Sequence, residues 1–588
     1  MLLEDLGLIG NCQFSALVSR TGSIVWSCLP RFDSEPVFAR LLDPDGGELV
    51  VGAAGGEPGA QAYLPNTNVL STTFQTKDGR FRVIDFAPRY QASAGGYERP
   101  TRIVRILDPL EGAPRVEVRC APRLGWSKRP PGRHLASGRV TYHGFEAPLF
   151  VDTDIPLSYL DGESFTLTEP RHLVLSWGAP LDEPLAPYAR RTREATTAYW
   201  QRWVKHCNVP PLYQQEVIRS ALALKLHCFE DTGAIVAAMT TSLPEAPGGA
   251  GRTWDYRYCW LRDAYYVLSA LRLLGHFEER ERFTQFLLDI AGRTAELDLA
   301  PLYRVDGSSD LGESTMAEWA GYAGEKPVRV GNAAALHHQF DVFGEMVLAL
   351  TPIYLDDRFC EERSRQTLDL IERLTRKAIA VAGRPDAGIW EYRTAWQPQT
   401  FSSLMCWAAA DRMAMVAHRH RPAIAEEMRA AAERLRREIV DRAFSPRLGS
   451  FVSMYGGEDL DAALLQMPIL RFPGEDQHVA RTVDAIGHGL GEGGWLYRYR
   501  TDDGFGRPEV AFVICTFWYV EALARVGRTD EARAIFERTL RALSPLGLLS
   551  EDLHVKSGRL WGNFPQAYSH VGLIHAAFAV APRWLEIL

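Results

Sequence analysis

Two hydrophobic periods divide the chain. Up to about residue 180, apolar and polar positions alternate in short runs, at 23–29, 69–75, 80–86, 102–107, 115–120, 165–167 and 172–177. Glycine and proline clusters separate them, as in GAAGGEPGA at 52–60 and RPPGR at 129–133. Alternation with period two predicts strands that bury one face. Many short strands with no helical stretch between them predict a β-sandwich over 1–180.

The pattern ends at GAPLDEPLAP (178–187). A polar helical stretch follows, roughly 188–206, so 181–209 reads as a linker helix region. From residue 210 the apolar spacing turns helical. Amphipathic segments are predicted near 213–230, 262–275, 279–296, 334–352, 361–382, 401–419, 422–441, 458–466, 476–489, 509–527, 529–543 and 566–581. Twelve such helices predict six helical hairpins closed into an (α/α)6 barrel over 210–588. The fold class is therefore multidomain, an N-terminal β-sandwich followed by an all-α barrel. In a closed toroid the inner helices share one direction, so the loops leading into every second helix meet on one face.

Those loops are unlike the others. Before the second helix stands TWDYRYCWLRD (253–263), before the fourth GYAGEKPVRVGN (321–332), before the sixth DAGIWEYRTAWQPQ (386–399). Before the eighth stands SFVSMYGGED (450–459), before the tenth GGWLYRYRTDDGFGRPE (493–509), before the twelfth LLSEDLHVKSGRLWGNFPQ (548–566). All are rich in Trp, Tyr, Gly, Arg and carboxylates. The alternate loops, such as GHFEE (275–279) and GRTD (527–530), are plain. This alternation predicts one concave site.

Glycoside hydrolysis is a chemistry these loops can supply, since it needs two carboxyl groups flanking the scissile bond. Glu391 follows Ile389 and Trp390, so an apolar wall is available to favour its protonated form. A lone glutamate is more often a cap or a surface residue, and it is the Gly-Ile-Trp-Glu-Tyr-Arg context that singles this one out. Glu551 and Asp552 end an apolar run, and residue chemistry alone leaves either as a base, or the pair as a helix cap. Arg262 and Asp263 can hydrogen-bond vicinal sugar hydroxyls, or serve as an ordinary cap and a solvated arginine. Trp254, Trp260, Trp390, Trp495 and Trp561 can stack on sugar faces, although core packing is the commoner role of each. His570 reads as a core histidine.

Composition narrows the partners. Hydrophobic residues are 46% and charged residues 23%, ordinary for a globular protein. The net charge of −8 argues against nucleic acid or an anionic membrane. No apolar run approaches 18 residues and no signal peptide is evident, so a cytoplasmic enzyme is expected. Nine scattered Cys without CxxC spacing predict neither a disulfide framework nor a zinc site. HCF at 227, HH at 337 and HRH at 418 lack paired ligand spacing, so no metal is expected, and no phosphate-binding glycine motif implies a cofactor. Gly-x-Ser-x-Gly is absent as well. The expected partner is a sugar, and a homo-oligomer is compatible with the sequence.

Several long motifs resemble glycoside hydrolase family 15, in its bacterial glucoamylase-like and trehalase-like branch. Leu8-Ile9-Gly10-Asn11 and ALVSRTGSIVWSCLPRFDSEPVFARLL (16–42) resemble the trehalase-like N-terminal domain. WDYRYCWLRDA (254–264), GIWEYR (388–393), FSSLMCWAAADR (401–412) and WGNFPQAYSHVGLI (561–574) resemble the catalytic barrel, in the family's order. The resemblance implies inverting hydrolysis of α-glucosidic bonds at a non-reducing end, releasing β-glucose. By motif position it makes Glu391 the general acid and Glu551 the general base. It places Arg262 and Asp263 on the innermost glucose, with Arg498 a looser match. The stacking candidates Trp254, Trp260, Trp390 and Trp561, together with Arg393, complete the expected substrate-binding set.

Two departures stand out. Thr394-Ala395-Trp396-Gln397 replaces a glycine pair common among relatives, in a loop expected to border the leaving-group subsite. Asp552 stands where relatives carry Glu or Gln. The primary expectation is a glucoamylase-like exo-hydrolase of α-glucans or oligosaccharides, with an α,α-trehalase as the alternative. A sugar phosphorylase or epimerase on the same toroid is the reading from another class. The first would lack the Glu551 carboxylate, and the second would need a histidine pair in the cavity.

Overall fold

The computed structural model describes residues 1–587 apart from 93–94, 250, 294–295, 394–395, 475 and 542. Its N-terminal part is two antiparallel sheets. One runs Leu6–Gly10, Ser15–Ser19, Ser23–Cys28, Glu48–Ala53, Arg115–Ala121, Asp161–Thr166, with Pro36–Phe38 paired off the third strand. The other runs Gly132–Ala136, Arg139–His143, Leu149–Thr153, Arg171–Trp177, Arg102–Gly112, Gly79–Phe86, Leu70–Thr76, Ala60–Tyr63. Along Arg102–Gly112 the expected alternation is literal. Ile103 and Leu107 face the core shared with the first sheet, where Leu17, Val51 and Val118 also sit. Val104 and Ile106 face the opposite way, with Ile84, Phe86 and Val174. Arg105 bridges the sheets: it pairs with Asp85 at 2.7 Å and donates to the carbonyls of Leu49 and Gly22 at 2.7 Å each.

That outward apolar face is covered by helix α1 (Leu185–Lys205), whose Tyr188 and Ala189 pack onto it. The linker region is thus a structural layer and not a tether. Strands Leu6–Gly10 and Ser15–Ser19 escape the period-two pattern because every residue in them is buried, which leaves no alternation to read.

Among the described residues twelve helices build the barrel: α2 (Gln214–His227), α3 (Leu261–Leu273), α4 (Glu278–Ala291), α5 (Asp341–Leu350), α6 (Arg365–Val381), α7 (Thr400–His420), α8 (Pro422–Ala443), α9 (Gln466–Leu470), α10 (Asp476–Leu490), α11 (Val513–Arg525), α12 (Thr529–Leu540) and α13 (Ala567–Val580), with two four-residue helices besides, Pro352–Leu355 after α5 and Trp584–Ile587 after α13. Helices α3, α5, α7, α9, α11 and α13 form the inner ring, each beside the next except that α7 meets the 3-10 turn Ala462–Leu465 leading into α9, and α13 closes against α3. Inner helices are buried nearly all round, as in α13, whereas outer ones keep a polar face, as in α6. Start signals read as physics dictates: Ser364 caps α6 by accepting from the Thr367 N–H at 3.0 Å, and Pro422 opens α8 where no amide is needed.

Sandwich and barrel share an interface. The Trp26 indole donates to the Met239 carbonyl at 2.7 Å, and Arg89 pairs with Glu230 at 2.7 Å. Among the described residues no helix is long and apolar enough to cross a membrane.

Candidate active site

The loops leading into the inner helices converge on one cavity of about 90 Å3. Five of the six supply its wall. Glu245, Trp254 and Trp260 precede α3, His337 precedes α5, and Trp390, Glu391 and Arg393 precede α7. Arg498 and Phe505 precede α11, and Glu551 precedes α13. The loop before α9 reaches the site only indirectly, through Asp461, which accepts from the Trp390 indole at 2.9 Å. Every residue of the wall lies beyond position 230, so the β-sandwich supports the site without lining it.

Glu391 holds an unusual backbone. Its φ of +59° lies in the left-handed region, where a glutamate is strained by about 1 kcal/mol or more. The turn is pinned by the Glu391 N–H on the Gly388 carbonyl and the Tyr392 N–H on the Ala387 carbonyl. This geometry delivers the side chain to three donors, all on Oε1: the Trp260 indole at 2.7 Å, Arg262 at 3.1 Å and the Gln339 amide at 3.2 Å. With Oε1 saturated, a proton carried by this carboxyl has Oε2 to sit on.

Arg262, in the first turn of α3, also bonds Gln339 at 2.6 Å and Asp341 at 3.1 Å. It therefore braces Glu391 while lining the cavity. Asp263 beside it is pushed up to about 7, by burial first, with Arg262 opposing and Glu391 adding.

Glu551 lies in a second cluster. It is buried, and its Oε2 accepts from the Asn563 N–H at 3.1 Å while Oε1 has no partner among the described residues. Space for it is made by Gly562, at φ +75°, where a Cβ would meet the Glu551 Cβ at 2.6 Å. Burial and then the Glu245 carboxylate push Glu551 up to about 8, while the Asn563 amide, Tyr256 and Arg498 pull the other way. Glu551 lines the cavity and Asp552 does not. Burial raises Asp552 well above the carboxylate range, with Glu551 and Glu245 adding.

The remaining wall is braced by charge. Arg393 and Arg329 both pair with Glu313, at 3.0 and 3.1 Å. They hold Trp254 between them, at 4.3 and 4.8 Å from its ring centroid. Arg252 grips Asp503 through two bonds of 2.8 and 2.6 Å, and Phe505 meets Trp254 edge-on at 5.4 Å.

The structure thus brings together Arg262, Asp263, Glu391, Glu551, Trp254, Trp260, Trp390, Arg393 and Arg498. It does not bring Trp561, which packs edge-on against Tyr322 at 6.0 Å on the hairpin of Asp552–His554 and Arg559–Trp561, a hairpin tied by Glu4 to the N-terminus. Trp495 also lies off the wall. His570 is buried and bonds Ser220 at 3.0 Å, as a core histidine. In the departing loop, Thr394 and Ala395 lie outside the described residues, and the Trp396 indole donates to the Tyr392 carbonyl at 2.8 Å. No group of residues able to hold a metal ion occurs among the described residues.

Sequence reasoning missed Glu245, Tyr256, His337, Gln339 and Tyr568. Glu245 lies in SLPEAPGG, upstream of the aromatic part of the loop that drew attention. A proline- and glycine-rich approach to an inner helix, read back as far as the preceding helix, would have found it. Gln339 and Tyr568 sit at helix starts whose apolar neighbours hide them.

Residues 211–578 match the family model of Glycosyl hydrolases family 15, and residues 1–153 match the Trehalase-like, N-terminal model. The chain is 33% identical to a trehalase of Mycobacterium tuberculosis, over 98% of this chain and 89% of that protein. It is 33% identical to a trehalase of Thermoplasma volcanium, over 99% and 93%. Among solved structures, a bacterial glucoamylase complexed with acarbose superposes with a TM-score of 0.67 at 13% identity, over 98% of this chain and 93% of that one. At that identity the likeness speaks to the fold, a β-rich domain followed by an (α/α)6 barrel.

Proposed function

The chain is a glycoside hydrolase that belongs to glycosyl hydrolases family 15, and within that family we propose that it hydrolyses α,α-trehalose with inversion, Glu391 acting as general acid and Glu551 as general base. The glucan-acting expectation drawn from the sequence gives way to its alternative, because relatives that match it nearly end to end, among them those of Mycobacterium tuberculosis and Thermoplasma volcanium, are trehalases. The small, walled cavity also suits a disaccharide better than a long glucan.

The arrangement carries the chemistry as follows. One glucose is held by Arg262 and Asp263 at the floor, against Trp260 and Trp390. Glu391 Oε2 gives its proton to the bridging oxygen as the C1–O bond breaks. A water on the opposite face attacks C1 while Glu551 takes a proton from it, so the two carboxyls end with exchanged protonation. Trp254, Arg393 and Phe505 wall the side where the departing glucose rests. The observation that carries this reading is the pair of differently held carboxyls on one cavity, Glu391 bridged on a single oxygen and Glu551 buried with one oxygen free.

Purified protein assayed on trehalose, maltose, isomaltose and soluble starch should show its highest kcat/KM on trehalose. A higher value on maltose or starch would return the glucan reading. Inversion has a sharp signature on this substrate: one glucose leaves as the β-anomer and the other keeps its α-configuration. NMR at early times should therefore show equal α- and β-glucose, whereas α-glucose alone would mean retention. Glu391→Gln and Glu551→Gln should each lower kcat by about 10²–10⁴-fold with the fold intact, and near-normal turnover in either would remove that residue from the mechanism.

A further inference from the structure

The loop that leads into α5 carries a side chain that the acid and the base leave unused. His337 lines the active-site cavity. Burial lowers its pKa, against the pull of Glu391 and with the help of Arg393, so the ring is neutral near neutral pH.

The backbone at this point is fixed. Asn332 caps the 3-10 turn Ala333–Leu336 by accepting from the Ala334 N–H at 2.9 Å, and the His337 N–H bonds the Ala334 carbonyl at 3.0 Å. The Ala387 N–H bonds the His338 carbonyl at 2.9 Å, which ties this loop to the turn that bears Glu391. Two residues further on, the Gln339 amide holds Glu391 itself at 3.2 Å. A side chain set by the loop that grips the acid keeps a constant place relative to the bond being cleaved.

The ring is held as well. Trp396 meets it edge-on, with centroids 5.8 Å apart, and the Trp396 indole is anchored on the Tyr392 carbonyl. Trp396 belongs to the 394–397 segment that departs from the pattern of relatives.

The polar edge of the ring is unclaimed. His337 makes no hydrogen bond among the described residues; Nδ1 is shielded, and Nε2 is the nitrogen left open. Its neighbours are engaged: Arg393 on Glu313, the Trp254 indole on Glu245 at 3.0 Å, and the Asn332 amide on the Asp255 carbonyl at 3.3 Å. A neutral imidazole with one open nitrogen matches one hydroxyl, as donor or as acceptor. The glucose at the floor has Arg262 and Asp263, whereas the charges acting on His337 include Arg393 and Glu313, on the side of the departing glucose.

We propose that His337 is a specificity-determining residue of the leaving-group subsite, where Nε2 bonds a hydroxyl of the departing glucose and Trp396 fixes the ring. The inference rests on the proposed hydrolysis of a disaccharide at Glu391, and it concerns which sugar can leave.

The test compares a sugar leaving group with one that has no hydroxyl, using trehalose and α-D-glucosyl fluoride. His337→Phe keeps a flat ring against Trp396 and loses the nitrogen. It should lower the ratio of kcat/KM on trehalose to kcat/KM on the fluoride by about tenfold, as one lost hydrogen bond does. His337→Gln should recover part of that ratio, and the pH limbs of the trehalose profile should stay in place. Trehalose soaked into crystals of Glu391→Gln should show the departing glucose bonded to His337 Nε2, a readout that does not depend on the His337 variants folding. An unchanged ratio in His337→Phe, an alkaline limb displaced through Glu391, or a soaked sugar that leaves His337 untouched would each overturn the proposal. A parent enzyme that does not cleave trehalose would instead overturn the trehalose reading, and the same ratio would then be read on the disaccharide it does cleave.

Discussion

At the scale of single residues, the site separates its two carboxyls by environment. Glu391 is reached by three N–H donors, and Glu551 by one backbone amide and by its carboxylate neighbours. Glu245 is the neighbour that matters for pH. It lines the cavity, bonds Arg498 at 2.7 Å and the Trp254 indole at 3.0 Å, and after burial is the largest influence raising Glu551 to about 8. The sign follows directly. Below that value Glu551 is mostly neutral and a poor acceptor, so if it is the base, its limb of the kcat/KM profile should rise with pH toward about 8. Glu245→Gln removes a like charge and frees Arg498 to face Glu551, and both changes lower the Glu551 pKa. The acid limb of the kcat/KM profile should move to lower pH, even if the maximum rate drops. A lower rate with an unmoved limb would confine Glu245 to a structural part.

At the scale of elements, the loop alternation was legible because inner-helix approaches carry residues that no exposed turn needs. Five of the six loops it singled out form the wall. The sixth fails for a physical reason: α9 has only 5 residues, and the loop before it reaches the wall only by proxy, through Asp461 on Trp390. Glu391 and Glu551 as a pair were legible only by motif, since neither the left-handed turn at 391 nor the space left by Gly562 is written in hydrophobic periodicity. That space is testable. Gly562→Ala adds a methyl at φ +75° and within 2.6 Å of the Glu551 Cβ and 2.8 Å of its Oε2. Strain and overpacking together should cost about 1–3 kcal/mol. Because the displaced group is the proposed base, kcat should fall at least about tenfold, a 1.4 kcal/mol change in barrier, with KM far less affected. Unchanged kcat would mean that Glu551 has room the geometry does not show.

At the scale of the molecule, two sets of buried charges pull stability in opposite directions with pH. Where the sandwich meets the barrel, Arg89 and Lys225 surround Glu230, and Lys225 also pairs with Glu279. These cations overcome burial and hold Glu230 well below the usual carboxylate range. Its folded pKa is depressed, so its contribution is present above the unfolded value of about 4.3 and is lost as pH falls. The barrel core does the reverse. Burial raises Asp263 and Asp386 to about 7, Asp461 to about 6 and Glu551 to about 8. Their folded pKa values are elevated, so stability is fullest below the unfolded values and drains away as pH rises through the folded ones. Melting temperature should therefore peak near pH 4, where the two windows meet, and fall by several degrees by about pH 8. Asp386→Asn isolates one contribution, because Asn keeps an acceptor for the Phe340 N–H and the Ser402 hydroxyl, now bonded at 2.9 and 2.7 Å. It should flatten the decline above about pH 4 while leaving the acid side alone. Arg89→Met does the opposite: it removes one of the cations that hold Glu230 and leaves Lys225 in place, so it should cost about 1.5–3 kcal/mol near neutral pH and less below about pH 4. An unaltered Tm profile in both variants would refute the assignment. If it holds, the proposed base, whose pKa is raised to about 8, sits in a core that loses stability as pH rises toward that value, so the temperature optimum for activity should drop as the assay pH rises.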